Sequence, residues 1–202
     1  MVNIHDLVWF SGPEDLITSG PLPSWVLESI AKAPVGIVRR GQHGTQELLI
    51  GIRGGSKAQR FATKINCNHI IRLQSTQSLL EHPIPSSHLP LWRGLPVIKD
   101  YLIAHQLRWG LSGSAAYELA TGIPTVNEDS DLDLIALDPP VLELNQATII
   151  LNALKQFSFH ADVQILHGQV GFSLEEYVNH PHEKILLKTA TGPVLSSTPW
   201  EF

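Results

Sequence analysis

The sequence predicts an α+β protein in two parts, a small N-terminal α+β domain and a larger domain built on a mixed sheet. Three observations lead there. Short β-rich runs alternate with helical stretches along most of the chain, which stacks helices on sheet. Residues 75–90, with Pro83, Pro85 and Pro90 among several serines, interrupt that alternation and read as a linker. Charge changes sign across it: residues 1–85 hold eight Lys or Arg and six acids, whereas residues 86–202 hold six and thirteen. The expected domains are residues 1–82 and 88–202.

In the first domain, Ser24 is placed to cap a short helix over residues 25–33 that Pro34 ends. Residues 35–38 and 48–52 are β-rich and flank a turn from Gly41 to Gly44. In the second, residues 97–107 have helical periodicity, with Val97, Ile98, Tyr101, Leu102 and His105 on one side. Residues 109–113 lead into a helix over residues 114–120, which Gly122 and Pro124 stop. Residues 131–136, 160–166 and 185–189 read as strands, and residues 145–156 and 174–178 as helices.

Composition bounds the function. A chain of 202 residues with 43% apolar content can bury a real core. It lacks a run of about 18 apolar residues, so no membrane span is expected. The start, Met1 to Asp6, has neither the basic residues nor the apolar stretch of a secretory signal. The single cysteine, Cys67, cannot form an internal disulfide, which favours a reducing cytoplasm; it is expected as a small buried hydrophobe. Between residues 39 and 72 seven basic residues face one acid, Glu47. That is either a solvated basic face or a docking surface for a polyphosphate or an acidic protein. Nucleic acid fits poorly, because the net charge is −5 and the basic residues are not interleaved with aromatics.

Chemistry concentrates in the second domain. On a strand, Asp131 and Asp133 project together while Leu132 and Leu134 face the core. Neighbouring carboxylates repel unless a cation lies between them, and a hard divalent ion such as Mg²⁺ or Mn²⁺ is held by one or two carboxylates plus substrate phosphates. A bare Asp-x-Asp is more often a solvated strand face. Here Gly113-Ser114 stands upstream, where a strand closes and a helix opens, and a helix N-terminus suits terminal phosphates. Asp162, on the alternating strand around residues 160–165, completes a carboxylate triad if that strand lies beside the first; it would then bridge a second metal ion or take a proton from an attacking hydroxyl. Lys188, alone among apolar neighbours, reads equally as a triphosphate contact or a snorkelling surface lysine.

Gly-Ser, then Asp-hydrophobic-Asp on a strand, then one later Asp resembles the DNA polymerase β-like nucleotidyltransferase superfamily. Sixteen residues separate Ser114 from Asp131, a longer gap than that pattern usually has, which implies an insertion around residues 121–130. Segments along most of the chain narrow the resemblance: His5-Asp6-Leu7, Val38-Arg39-Arg40, Gly51-Ile52-Arg53-Gly54, Gln59-Arg60-Phe61-Ala62, Ser112-Gly113-Ser114, Tyr117 to Gly122, Asp129 to Leu134, Asp162-Val163-Gln164, Leu186 to Ala190 and Pro199-Trp200. These are similar to the malonate decarboxylase holo-acyl-carrier-protein synthase family, the phosphoribosyl-dephospho-CoA transferases. The resemblance implies transfer of 2′-(5″-phosphoribosyl)-3′-dephospho-CoA from its triphosphate precursor to a serine of the apo acyl carrier subunit, with loss of pyrophosphate. It matches Asp131 and Asp133 to the family's catalytic aspartates, while the role of Asp162 rests on the strand argument. It also gives the basic stretch a use, since carrier proteins are generally acidic and the donor carries several phosphates; Arg39, Arg40, Arg53, Lys57 and Arg60 are the residues to test.

Other readings are weaker. Residues 51–57 lack the glycine spacing of a P-loop. The ten histidines are scattered, without zinc-ligand spacing. The flanks of Ser114 do not form a G-x-S-x-G elbow. Two alternatives stay open at this level: a transferase using an ordinary nucleoside triphosphate on another acceptor, and a non-catalytic nucleotide-binding module.

Overall fold

The computed structural model describes residues 2–42, 44–56, 58–105 and 107–202, and the chain divides into compact units at residues 1–75 and 76–202. Residues 76–82, assigned from sequence to the first domain, belong to the second unit. His43, in the turn from Gly41 to Gly44, and Lys57, among the basic residues, lie outside the described residues.

The first unit contains β1 (Leu7–Trp9), β2 (Leu16–Ile17), α1 (Ser24–Lys32), β3 (Val35–Val38), β4 (Glu47–Arg53), β5 (Arg60–Asn66) and β6 (Arg72–Gln74). The strands form one six-stranded sheet, ordered β2-β5-β4-β3-β1-β6, with every pair antiparallel. Strands β3 and β4 and helix α1 follow the sequence pattern. Helix α1 nonetheless starts at Ser24 itself, with Pro23 before it and no side-chain cap. Alternation sends Ile50 and Ile52 of β4 and Ile65 of β5 inward, where they meet Val26 and Ile30 of α1. One sheet face is therefore core, covered by the helix. Cys67 follows β5 and is exposed rather than buried, because the chain turns outward there in a short 3₁₀ turn.

The second unit contains α2 (Pro90–Ala104), β7 (Trp109–Leu111), α3 (Gly113–Thr121), β8 (Leu132–Leu137), α4 (Leu144–Leu154), β9 (Ala161–His167), β10 (Val170–Ser173), α5 (Leu174–Asn179), β11 (Ile185–Thr189) and β12 (Gly192–Ser196). Its sheet has the order β12-β11-β10-β9-β8-β7 and is mixed: β8 and β9 run parallel and all other pairs antiparallel. Both units combine helices with sheets, so the fold is α+β. The parallel pair needs a crossover, and α4 supplies it.

Helix α2 corrects the sequence reading of residues 97–107. It starts at Pro90, encloses Pro96 and ends at Ala104. Pro90 suits the first turn, whose N–H groups lack helical partners. Pro96 deletes one internal hydrogen bond, and the deep burial of Leu91, Trp92, Leu95, Ile98 and Leu102 offsets that loss. The helix thus begins seven positions before residue 97, and its buried apolar stripe six positions before it, at Leu91. Val97, expected on the inner side, is 59% exposed, and His105 is also exposed.

Candidate active site

The site is built where β7 ends, α3 begins and β8 runs alongside. Strand β7 pairs with β8 through Leu111 and Leu134, and the Ser112 N–H donates to the Asp133 carbonyl at 2.9 Å. The chain then turns at Gly113, whose φ is +64°, and enters α3. A methyl group built on Gly113 would overlap the Asp133 carboxylate, so this position is restricted to glycine both by conformation and by space. The open N-terminal end of α3 and the Asp133 side chain are therefore immediate neighbours. Ser114 occupies the first turn of α3 and is partly exposed.

Asp133 sits on β8 between buried Leu132 and Leu134. The parallel register sets Asp133 opposite Asp162 on β9, and Leu132 opposite Ala161. Both aspartates are partly buried. Facing positions on adjacent strands lie about 4.8 Å apart, so one cation can lie between the two carboxylates. Asp131 is exposed and precedes the strand, which starts at Leu132 rather than at residue 131; the Leu132 N–H already donates to His160 at 2.8 Å. No group of three or more His, Cys, Asp or Glu positioned to hold a metal exists among the described residues. The donors are hard oxygens, two of them in register, which suits an ion that completes its coordination with substrate phosphates and water.

Lys188 is more remote. It pairs with Gly171, which pairs with Leu166, so Lys188 shares the sheet face of Asp162 but lies two strands across and four residues along. Strand spacing and rise put them roughly 16 Å apart. Only a ligand extended across β10 and β11 would meet both.

Glu118, which the sequence did not single out, organises the segment ahead of Asp131. Its Oε2 accepts from the N–H groups of Thr125 and Val126, both at 2.7 Å. The Thr125 hydroxyl donates to the Ser114 carbonyl at 3.0 Å, and the Ser130 hydroxyl accepts from the Asn127 N–H at 3.0 Å. The stretch expected as an insertion is thus tied back to α3. The available signal was an acid on an otherwise uncharged helix, five residues after Gly113.

The basic candidates all lie in the first unit. Arg39 and Arg60 are exposed, Arg53 is partly buried, and burial pulls the Arg40 guanidinium below its ordinary pKa.

Comparison with known proteins follows the same division. Residues 3–76 match the family model for the phosphoribosyl-dephospho-CoA transferase MdcG N-terminal domain, and residues 78–199 match that for its C-terminal domain. The chain belongs to the MdcG phosphoribosyl-dephospho-CoA transferase family. Relatives bearing the name phosphoribosyl-dephospho-CoA transferase include proteins of Pseudomonas syringae pv. tomato, 32% identical over 97% of this chain and 92% of the relative, and of Pseudomonas putida, 33% identical over 97% and 94%. The Azotobacter vinelandii relative is 30% identical over 97% and 93%. No solved structure matches. MdcG membership makes the chain a transferase, with both units of the MdcG architecture present. No helix among its described residues is long and apolar enough to cross a membrane.

Proposed function

We propose that this MdcG-family transferase moves 2′-(5″-phosphoribosyl)-3′-dephospho-CoA from its triphosphate precursor onto a serine of the apo acyl carrier subunit of malonate decarboxylase, in the cytoplasm. The observation that carries the reading is the pairing of Asp133 with Asp162 on parallel strands beside the open end of α3. In the reaction the acceptor serine oxygen bonds to the α-phosphorus as the bond to the bridging oxygen of the β-phosphate breaks. Pyrophosphate leaves, the serine proton passes to a base, and a phosphodiester joins prosthetic group and protein.

Such a transfer asks the protein for positioning and charge neutralisation more than covalent help. The backbone N–H groups at Gly113 and Ser114 donate to phosphate oxygens, aided by the positive end of α3. Asp133 and Asp162, in register, would hold Mg²⁺ or Mn²⁺ together with donor phosphates, with Asp131 just ahead of β8 as a further ligand once the donor is bound; the ion when bound neutralises triphosphate charge. Alternatively to holding a metal ion, Asp162, opposite Asp133, would take the serine proton. Lys188 would meet the distal part of an extended donor. Buried Leu132, Leu134 and Val163 beneath the carboxylates keep their strands fixed.

The test is to incubate the protein with the apo carrier subunit and the triphosphate donor, with Mg²⁺ and with chelator, and weigh the carrier. The expected result is a mass gain of one prosthetic group that needs the divalent ion and is lost in Asp133→Asn. No gain on the carrier, together with transfer from ATP to another acceptor, would sink the reading.

A further inference from the structure

One face of the first unit's sheet is core; the other is buried at Leu7, Trp9 and Val35 of β1 and β3, and on β4 and β5 it carries basic residues in an ordered pattern. Register puts Arg53 of β4 directly opposite Arg60 of β5, Gly51 opposite Ala62, and Leu49 opposite Lys64. On the other side of β4, Ile37 faces Gly51, and the Arg39 N–H donates to the Leu49 carbonyl at 2.8 Å, which places Arg39 level with Leu49 and Lys64. Alternation therefore gathers Arg39, Arg53, Arg60 and Lys64 on the face opposite α1.

Small side chains leave the middle of this face low. Ala62 is exposed, and the Arg39 Cδ lies 3.3 Å from where a Gly51 side chain would begin. Arg39 and Arg60 are exposed, and their guanidinium groups form no hydrogen bond or ion pair among the described residues. Lys64 pairs with Glu47 at 3.0 Å, with both side chains at least a third exposed.

We propose that this face is the docking surface for an acidic patch on the acceptor protein. The inference rests on the protein-acceptor reading above and adds where that acceptor binds. The geometry favours a protein over the donor's phosphates. The arginine pair at one end and Arg39 with Lys64 at the other are about 13 Å apart along the strands and about 10 Å across them. A polyphosphate site needs donors converging on one point, whereas carboxylates along roughly nine residues of an acidic helix span the same 13 Å. Exposed cations of this kind act chiefly on encounter and orientation, and salt screens them.

The experiment measures KM for the apo carrier subunit and KM for the triphosphate donor, at several salt concentrations, with the full-length protein. Arg39→Glu and Arg60→Glu are compared with Lys32→Glu, an equal charge reversal at an exposed position on α1, and with Arg60→Gln. Unfolding midpoints of the variants verify folding. The expected result is an increase in carrier KM of about three- to tenfold for each arginine reversal, with a weaker salt dependence. Arg60→Gln falls between, while Lys32→Glu and every donor KM stay at the wild-type value. Unchanged carrier KM in both reversals overturns the proposal, and so does a rise confined to donor KM, which makes the face a phosphate site. If the wild-type protein loads no carrier, the functional reading itself fails and takes this inference with it.

Discussion

Asp133 and Asp162 face each other across the only parallel strand pair among the described strands, β8 and β9. They stand 29 positions apart in the chain, and α4 carries the crossover between their strands. Without a cation two like charges at this spacing work against the sheet. Asp162→Asn should therefore raise the unfolding midpoint in chelator, by an amount equivalent to about 0.2–1 kcal/mol. Under the proposed metal role, Mg²⁺ with donor should shift the wild-type midpoint upward, and Asp162→Asn should abolish that shift and lower turnover by about a hundredfold or more. A variant that keeps its Mg²⁺-linked shift and its turnover would remove Asp162 from the site.

Gly113→Ala tests the contact between α3 and β8. The methyl group meets the Asp133 carboxylate, and the backbone there has φ +64°. Strain of this kind costs about 1–3 kcal/mol. Urea unfolding should show that loss, and carrier loading should fall further than stability does because Asp133 is displaced. Ser114→Ala, which keeps the backbone donors, should raise donor KM and leave the unfolding midpoint within a degree or so.

Glu118→Ala removes the acceptor for two N–H groups of the segment leading to Asp131. Hydrogen bonds to a charged group contribute about 1.5–3 kcal/mol each at most, less where water replaces the partner. A destabilisation of about 2 kcal/mol is expected, with a larger Mg²⁺ requirement for activity as Asp131 loses its placement. Hydrogen exchange at Thr125 and Val126 should quicken in the variant. Unchanged protection there would show that the segment holds itself.

Acid sensitivity has one identifiable contributor. The hydrogen bond from Lys155, at 2.8 Å, leads the causes that hold the Glu175 carboxyl below its ordinary pKa, with partial burial opposing and His160 adding a weaker pull. A depressed folded pKa stabilises above the unfolded value and is lost as pH falls through the folded one. Lys155→Ala should cost less than about 1 kcal/mol at pH 7, since the pair is part-exposed and screened. The difference from wild type should shrink once pH drops below the ordinary glutamate value of about 4.3. A gap that persists at lower pH would assign the effect to packing of the lysine stem.

Local pattern made much of this molecule readable. Periodicity placed α1, β3, β4, α3, α4, β9, α5 and β11 to within a few residues, because each carries its own alternation or helical stripe and its own Gly or Pro stops. Strands β10 and β12 escaped because a few residues containing Gly171 or Pro193 carry too little pattern. Helix α2 was truncated because Pro96 reads locally as a boundary, and only the buried stripe on both sides of it overrides that signal.

The sequence by itself determined the α+β class, the alternation that sets Asp133 between inward Leu132 and Leu134, and the glycine where a strand becomes a helix, since these follow from backbone sterics and side-chain period. Tertiary structure alone decided which strand lies beside β8, and in which register. That choice makes Asp162 the partner of Asp133, moves Lys188 two strands away, ties Glu118 to the segment before Asp131 and aligns four basic residues on one sheet face. Pairing between distant segments is fixed by how whole faces bury against each other, and no local stretch of chain carries that information.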